Sequence, residues 1–352
     1  MTDESKPALF CSRPFTFFEI ATHPKRGDAY LCCPTWLPPR LGNAAEQTVS
    51  ELWNGATAVE VRRSIHDGSF KYCTEHCPWL QTASGPVQKI SDVVDPELKR
   101  IIEHKLVEVP MPRIVNAAFD RSCNLSCPTC RHDHFIEREA AAEIRKLQRI
   151  IDEQVLPEAE QFYVTGSGDA FGSPYFLEWL RHLDISDKPR LKIHLHTNAQ
   201  LWTPAIWAKI PPEVRQIVST AEISIDAASE RTYLQNRRGG SWSKLMANLE
   251  FIASLRASGP LTFLRIHMLV QENNFDEMPA FADLGSRLAA DHIYFSHLVN
   301  WGTFTEEEVA KRSIHRRSHP RHAELLEVLT HPALKAPQVD FGNLSEVMRV
   351  ED

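Results

Sequence analysis

The stretch Arg121-Ser-Cys-Asn-Leu-Ser-Cys-Pro-Thr-Cys-Arg131 decides the fold of this chain. It places three cysteines, the cysteine triad Cys123, Cys127 and Cys130, in one loop directly after residues 114–119, an apolar run that predicts a β-strand. Three thiolates held this close suit a cubic iron–sulfur cluster and leave its fourth iron without a protein ligand. An open iron can chelate a substrate, so the spacing indicates a cluster that takes part in chemistry.

Zinc is the alternative metal for the triad. A structural zinc site normally has four ligands, and His132 and His134 follow the third cysteine closely. Spacing alone therefore leaves zinc open, and the downstream chain favours the cluster.

Composition limits the class of protein. The 352 residues suffice for one large domain and a smaller one. A net charge of −7 argues against a nucleic-acid partner, because phosphate binding needs a basic face. No apolar run approaches the roughly 18 residues of a membrane span, and the N-terminus does not resemble a signal peptide. We therefore expect a cytoplasmic protein with no membrane partner, in which eight cysteines bind metal instead of forming disulfides.

The triad after a first strand resembles the signature of the radical S-adenosylmethionine (radical SAM) superfamily, although Thr129 stands where the family commonly has an aromatic residue. The resemblance implies a 4Fe–4S cluster whose open iron is chelated by the amino and carboxylate groups of SAM. One electron then cleaves SAM to methionine and a 5′-deoxyadenosyl radical, which abstracts a substrate hydrogen.

The other cysteines precede the triad. We call them the N-terminal cysteines: Cys11, Cys32, Cys33, Cys73 and Cys77. The pair Cys32-Cys33 follows Gly27, a predicted capping box at Thr48 and Glu51 comes next, and Cys73 and Cys77 form a closing pair. Their order resembles the SPASM domain, which usually follows the radical SAM core. The resemblance implies an auxiliary 4Fe–4S cluster on Cys11, Cys32, Cys73 and Cys77, since Cys32 matches a Gly-x4-Cys phase. Cys33 is then an alternative ligand, a buried apolar residue or a hydrogen-atom donor, and a zinc site is the alternative to the cluster.

From Arg113 onward, short β-branched or aromatic runs alternate with helical segments, which predicts an α/β fold with a parallel sheet. Six strand–helix units match the partial (β/α)6 TIM-like barrel of radical SAM cores. The predicted strands are 114–119, 160–165, 191–197, 221–226, 261–270 and 292–298. The predicted helices are 96–105, 136–154, 174–184, 204–210, 229–257 and 277–290. The domains are expected at 9–90 (SPASM/twitch-like), 91–112 (helix and linker), 113–302 (radical SAM core) and 303–352 (C-terminal extension).

Active sites of parallel barrels lie at the C-terminal ends of the strands, and polar residues stand at these ends. The resemblance implies that they bind SAM, with Arg238, or alternatively Arg237, forking onto its carboxylate. The predicted SAM-binding residues are Gly166, Ser167, Gly168, Asp169, Asn198, Ser224, Asp226 and Arg238.

The expected function is that of a radical SAM enzyme that modifies a peptide or protein side chain by oxidation, cross-linking or epimerisation. A small-molecule substrate (sugar, nucleotide or amine) is the alternative. A non-catalytic iron–sulfur or zinc-binding electron-transfer protein is disfavoured, because the triad leaves one iron open. An external one-electron reductant of flavodoxin or ferredoxin type is the expected protein partner.

Replacement of all three triad cysteines by alanine should halve the iron and abolish SAM cleavage. Anaerobically reconstituted wild-type protein is expected to hold about eight irons and the triple variant about four, because each cubic cluster has four. Iron analysis and chromatography of 5′-deoxyadenosine measure both effects. About four irons in the wild type would instead assign zinc or nothing to the N-terminal cysteines.

Overall fold

The computed structural model describes residues 8–75 and 77–348, and the chain forms two compact units. Unit 1 comprises the chain up to Asp120 together with Arg138–Ser167 and Asp184–Lys192. Unit 2 comprises Arg121–Glu137, Gly168–Leu183 and the chain from Ile193 onward. The N-terminal cysteines lie in unit 1 and the triad lies in unit 2.

Unit 1 has two small antiparallel elements and a run of parallel strands. Its strands are β1 (Leu9–Cys11), β2 (Phe17–Ala21), β3 (Asp28–Tyr30), β4 (Gly42–Asn43), β5 (Val87–Lys89), β6 (Ile114–Ala118) and β7 (Gln161–Val164). Strand β2 pairs parallel with β6 and antiparallel with β3, so the N-terminal segment extends the sheet on which the triad loop begins. Strands β6 and β7 are parallel, and β1 pairs antiparallel with β5.

Two of the helices of unit 1 begin at N-caps that the sequence predicts. The helices are α1 (Arg13–Thr16), α2 (Val49–Trp53), α3 (Ala56–His66), α4 (Pro78–Thr82), α5 (Pro96–Glu103) and α6 (Ala141–Gln154). The predicted capping box of Thr48 and Glu51 is present at α2, and Asp95 caps α5 through the amides of Glu97 and Leu98.

Unit 2 carries parallel strands in the order β12-β11-β10-β9-β8. They are β8 (Lys192–Thr197), β9 (Val218–Ser224), β10 (Phe263–Val270), β11 (His292–His297) and β12 (Val339–Asp340). The helices are α7 (Pro174–His182), α8 (Pro204–Trp207), α9 (Pro212–Ile217), α10 (Glu230–Asn236), α11 (Trp242–Ser258), α12 (Met278–Arg287), α13 (Glu306–Arg312) and α14 (His322–Leu329).

One face of the unit 2 strands is apolar and packs against helices. Residues of β10 alternate between buried and half-buried, with Ile266 and Met268 buried. Helix α12 contacts β10 and β11, and the rings of Phe281 and Phe295 lie 5.6 Å apart. A Cβ on Gly285 would approach Ile293 Cδ1 to 2.5 Å, so only glycine lets the helix pack this closely.

The predicted α/β class with a mainly parallel sheet is confirmed, since each predicted strand has its counterpart among β6–β11 with helices between them. Two helix predictions were wrong in detail. The segment 229–257 forms two helices, because Gly239 has φ +90° in the turn between them. Helix α6 begins at Ala141, not at 136, because the preceding chain returns to the triad loop, where Phe135 pairs with Cys123.

Arg62 is fully buried inside unit 1, and burial lowers its pKa to about 9. Its guanidinium donates to the carbonyl oxygens of Pro14 and Val107 and to Asn54 Oδ1, at 2.8–2.9 Å. It also lies 4.4 Å from the centroid of the Trp53 ring. These contacts connect α3 to segments that precede it in the chain, at Pro14 and Asn54, and to one that follows it, at Val107.

Substitution Arg62→Leu should lower the free energy of unfolding by about 2–4 kcal/mol, because it leaves buried oxygens without a donor. The neighbouring Arg63→Leu, at an exposed position paired with Glu60, should change it by less than about 0.5 kcal/mol. Urea denaturation of the anaerobic protein measures both. Equal effects of the two substitutions would contradict a structural role for Arg62.

Candidate functional site

The triad loop is held in shape by its own backbone. The amide of Cys123 donates to the carbonyl of Phe135 at 2.9 Å, and the amides of Cys130 and Arg131 both donate to the carbonyl of Cys127 at 2.9 Å. Cys123 and Cys127 are buried, whereas Cys130 is exposed. The three thiols therefore sit on one tight loop whose third member opens to solvent.

Burial controls the protonation of these thiols. Together with a smaller contribution from the charge of Asp169, it raises the pKa of Cys123 to about 12. It also raises the pKa of Cys127, which the guanidinium of Arg237 partly offsets. The thiols of Cys123 and Cys127 are thus protonated at neutral pH, and binding of a metal would release their protons.

Asp169 is the most heavily hydrogen-bonded side chain near the loop. One carboxylate oxygen accepts from the amides of Phe171 (3.0 Å) and Gly172 (2.7 Å). The other accepts from Thr197 Oγ1 (2.8 Å) and from the amide of Asn198 (2.7 Å). The predicted contact of Asp169 with SAM stays a prediction, because in this structure its oxygens bind protein donors.

Asn198 connects Asp169 to the triad loop. Its Nδ2 donates to Cys123 Sγ at 3.6 Å and to Asn124 Oδ1 at 3.0 Å. The amide of Asp169 donates to the carbonyl of Ser122 at 3.0 Å. The end of β8 is thereby linked to the triad loop directly through the side chain of Asn198 and indirectly through Asp169.

Asp226 follows β9 and adopts a left-handed backbone conformation with φ +61°, which costs energy for any residue but glycine. Its carboxylate accepts from the amide of Leu269 at 2.8 Å and pairs with Arg237 Nη2 at 2.8 Å. Arg237 Nη1 also donates to Cys127 Sγ at 3.7 Å. The guanidinium of Arg237 thus lies between the carboxylate of Asp226 and the thiol of Cys127 and contacts both.

Arg238 points to the backbone of the triad loop. Its guanidinium donates to the carbonyl oxygens of Ser126 (3.0 Å), His132 (2.8 Å) and Arg131 (3.4 Å). Its own carbonyl accepts from the amide of Ser126 at 3.0 Å. The structure therefore assigns Arg238 a role in holding the loop, and its predicted contact with the SAM carboxylate stays a prediction.

The remaining predicted SAM-binding residues fall in different units. Gly166 and Ser167 belong to unit 1, where Ser167 Oγ donates to the carbonyl oxygens of Ala118 and Asp120. Gly168 belongs to unit 2, as does Ser224, whose hydroxyl lies 3.0 Å from His196 Nε2. Thus Asp169, Asn198, Ser224, Asp226 and Arg238 share unit 2 with the triad.

The second face of the unit 2 strands is polar. Hydrogen-bonded pairs cross neighbouring strands on it: His196 with Ser224 (3.0 Å), Arg265 with Glu222 (3.1 Å), and His267 with Ser296 (2.7 Å). Burial opposes ionisation of Glu222, but the charges of His196 and Arg265 outweigh it and lower its pKa. Burial lowers the pKa of His267 to about 4, so this imidazole is neutral at pH 7.

The N-terminal cysteines gather in unit 1. Burial raises the pKa of Cys11 to about 12 and of Cys73 to about 11, and the thiol of Cys77 is close enough to raise both further. Burial also raises the pKa of Cys32; Arg13 partly offsets this and Cys11 adds to it. The largest charge effect on the pKa of Cys33 comes instead from Glu19. Cys32 is thus the member of its pair that is electrostatically linked to Cys11.

Both cysteine sets fit iron–sulfur clusters by the chemistry of their donors. All eight cysteines are free thiols. Among residues 8–75 and 77–348, no group of three or more His, Cys, Asp or Glu side chains is arranged to hold a single metal ion. The thiolates of a cubic cluster bind different irons and need not converge on one point. N–H groups directed at the triad sulfurs further suit thiolate ligands.

Family models identify both regions. The radical SAM superfamily model matches residues 119–285, and the iron–sulfur cluster-binding SPASM domain model matches residues 11–78. The chain belongs to the radical SAM superfamily and carries an N-terminal SPASM domain. It is a SAM-dependent enzyme whose cofactors are a SAM-binding 4Fe–4S cluster, SAM and an auxiliary iron–sulfur cluster.

Solved structures give more distant matches. SuiB of Streptococcus suis bound to precursor peptide SuiA is 12% identical, with 85% of this chain and 66% of that chain covered and a TM-score of 0.44. TYW1 with a lysine–pyruvate adduct is 18% identical over 62% of this chain and 72% of that one, with a TM-score of 0.40. The enzyme anSMEcpe with bound AdoMet is 15% identical over 54% and 52%, with a TM-score of 0.39. No curated protein matches the chain.

Sequence reasoning missed two residues that organise the site, Arg131 and Thr197, and named a third, Arg237, only as an alternative to Arg238. Arg131 donates to Cys130 Sγ at 3.4 Å, and Thr197 binds Asp169. Arg131 directly follows the last triad cysteine, and that adjacency was an available signal. Which of Arg237 and Arg238 approaches the triad sulfurs depends on the conformation of the turn after α10, and the sequence alone does not specify that conformation.

Substitution Asp169→Asn should loosen the triad loop, because an amide NH2 would face an N–H or O–H donor in place of an acceptor. We expect the free energy of unfolding to fall by about 2–3 kcal/mol and the triad cluster to be partly lost. Urea denaturation and iron analysis measure these effects, with the exposed Asp283→Asn as the matched control. An Asp169→Asn protein with wild-type iron and stability would contradict the organising role.

Proposed function

We propose that this enzyme cleaves SAM reductively at the cysteine triad and uses the 5′-deoxyadenosyl radical to abstract a hydrogen atom from a peptide or protein side chain. The observation that carries the first half is the triad loop itself: three thiols on one loop, with N–H donors directed at their sulfurs. The second half follows from the resemblance to SPASM-containing enzymes, which implies a peptide or protein substrate; the SPASM domain model matches residues 11–78.

The cluster would be held by Cys123, Cys127 and Cys130, and when bound with SAM it supplies the electron for cleavage. The protein's contribution is orientation and exclusion of water. Asp169 and Asn198 keep Cys123 in place, and Arg238 keeps the loop backbone in place.

The SAM pocket is proposed at the strand ends around the triad. Ser224 and Asp226 are the proposed partners of its ribose or amino group, and Gly168, in the same unit, would let the backbone approach the ligand closely. For the carboxylate, Arg237 has an Nε that is buried and without a hydrogen-bond partner among the described residues. It is therefore an alternative to Arg238, whose donors lie on loop carbonyls.

An auxiliary cluster is proposed on Cys11, Cys32, Cys73 and Cys77. The amide of Thr74 donates to the carbonyl of Trp36 at 2.9 Å, which brings the closing cysteine pair beside the Cys32–Cys33 turn. The electrostatic link of Cys32 to Cys11 supports Cys32 as the fourth ligand. Cys33, half-buried near Glu19, stays the candidate hydrogen-atom donor.

The polar face of β8–β11 is the proposed substrate surface. Arg265, Glu222 and His196 are partly exposed there and offer donors and acceptors to a polar group. A small polar molecule would also fit these groups, so it remains the second candidate.

The proposed electron donor is an external flavodoxin- or ferredoxin-type protein, and the proposed location is the cytoplasm. No helix among the described residues is long and apolar enough to span a membrane.

Anaerobic, reconstituted protein given dithionite and SAM should release 5′-deoxyadenosine and methionine in equal amounts, measured by liquid chromatography and mass spectrometry. The Cys123→Ala protein should release neither, because one ligand of the cluster is gone. Wild-type protein with full iron that leaves SAM intact would sink the proposal.

The substrate class is tested with short peptides encoded beside the gene. Each is incubated with enzyme, SAM and reductant in deuterated water, and its mass is compared before and after. A loss of two hydrogens indicates oxidation or a cross-link, and one deuterium at a backbone carbon indicates epimerisation. Unmodified peptides alongside 5′-deoxyadenosine release would favour the small-molecule substrate.

A further inference from the structure

Every sulfur of the cysteine triad lies within hydrogen-bonding distance of an N–H donor. Cys123 Sγ accepts from the amide of Leu125 at 3.4 Å and from Asn198 Nδ2 at 3.6 Å. The donors to the other two sulfurs are guanidinium groups: Arg237 Nη1 lies 3.7 Å from Cys127 Sγ, and Arg131 Nη2 lies 3.4 Å from Cys130 Sγ. Both guanidinium groups are permanently charged.

These two arginines are fixed in place. Arg131 is 7% exposed, and its Nη1 donates to the carbonyl of Arg121 at 2.5 Å. The side chain of Arg237 is 13% exposed, and its Nη2 is paired with Asp226 at 2.8 Å. Neither guanidinium can move away from its sulfur without giving up a second contact inside unit 2.

A cluster gains one negative charge when it is reduced. Positive charge and N–H donors beside its sulfurs stabilise the reduced form more than the oxidised form, and so raise its reduction potential. The effect is strongest where water is excluded, because the local dielectric is low. Both guanidinium groups are largely buried and contact ligand sulfurs, and Arg237 lies beside the buried Cys127, where water is excluded most.

We propose that Arg131 and Arg237 raise the reduction potential of the cluster on the triad, so that a one-electron protein reductant can reduce this cluster. They are positioning residues, since they act through the ligand sulfurs. The inference rests on the proposed function in requiring that the triad holds a cluster, but it does not require SAM to be cleaved.

The test is a redox titration of the full-length reconstituted protein without SAM, followed by electron paramagnetic resonance. The signal of the triad cluster is the one missing from Cys123→Ala protein. In Arg131→Gln and Arg237→Gln proteins, the ratio of reduced to oxidised triad cluster at the wild-type midpoint should fall about tenfold, which is about 59 mV for one electron.

Lysine at either position keeps the charge and should restore most of that ratio. The control is Arg231→Gln, which removes the same charge from the exposed surface of α10 and should leave the midpoint unchanged. Glutamine variants that hold the cluster at the wild-type potential would overturn the proposal.

A measurement on unmodified protein keeps the proposal testable if a variant loses its cluster. With arginine labelled by 15N in the guanidinium group, pulsed electron paramagnetic resonance of the reduced triad cluster should show coupling to guanidinium nitrogen. Absence of this coupling would also overturn the proposal. Shifted potentials without SAM cleavage would leave this inference standing and reject the proposed function, and SAM cleavage with unshifted potentials would do the reverse.

Discussion

The geometry of the triad loop depends on the buried carboxylate of Asp169. Its two oxygens accept four hydrogen bonds, two from the chain that follows it and two from Thr197 and Asn198 at the end of β8. Hydrogen bonds to a charged acceptor are stronger than those between neutral groups, and an unpaired carboxylate here would be costly. The acid therefore holds segments distant in sequence in a single arrangement, and Asn198 extends that arrangement to Cys123.

The two cysteine sets differ in the positive charge around them. The triad sulfurs are bracketed by Arg131 and Arg237, which contact them directly. Among the N-terminal cysteines, Arg13 lowers the pKa of Cys11 and Cys32 only as a secondary influence, after burial has raised both. Fixed positive charge beside the triad sulfurs favours uptake of an electron by the cluster proposed there.

The fold class could be predicted from the sequence because the patterns that indicate it involve residues close together in the chain. Strands β6–β11 alternate with helices, and the capping box at Thr48 depends on residues three apart. Sequence reasoning pointed to Asp169, Asn198 and Asp226 by their place at strand ends but not to their distant partners. The contacts with Thr197, Cys123 and Leu269 span 28, 75 and 43 residues of chain, respectively. The pairing of β2 with β6, which joins the N-terminal segment to the core sheet, also has no local signal. Neither does the choice of which neighbouring arginine turns inward.

The central claim is that the triad leaves one iron open and that SAM occupies it. Electron–nuclear double resonance of the reduced protein with SAM labelled by 15N at its amino group measures this directly. The account predicts a 15N coupling that appears with wild-type protein and is absent from Cys123→Ala protein. A fully loaded, reduced wild-type protein that shows no 15N coupling at saturating SAM would contradict it.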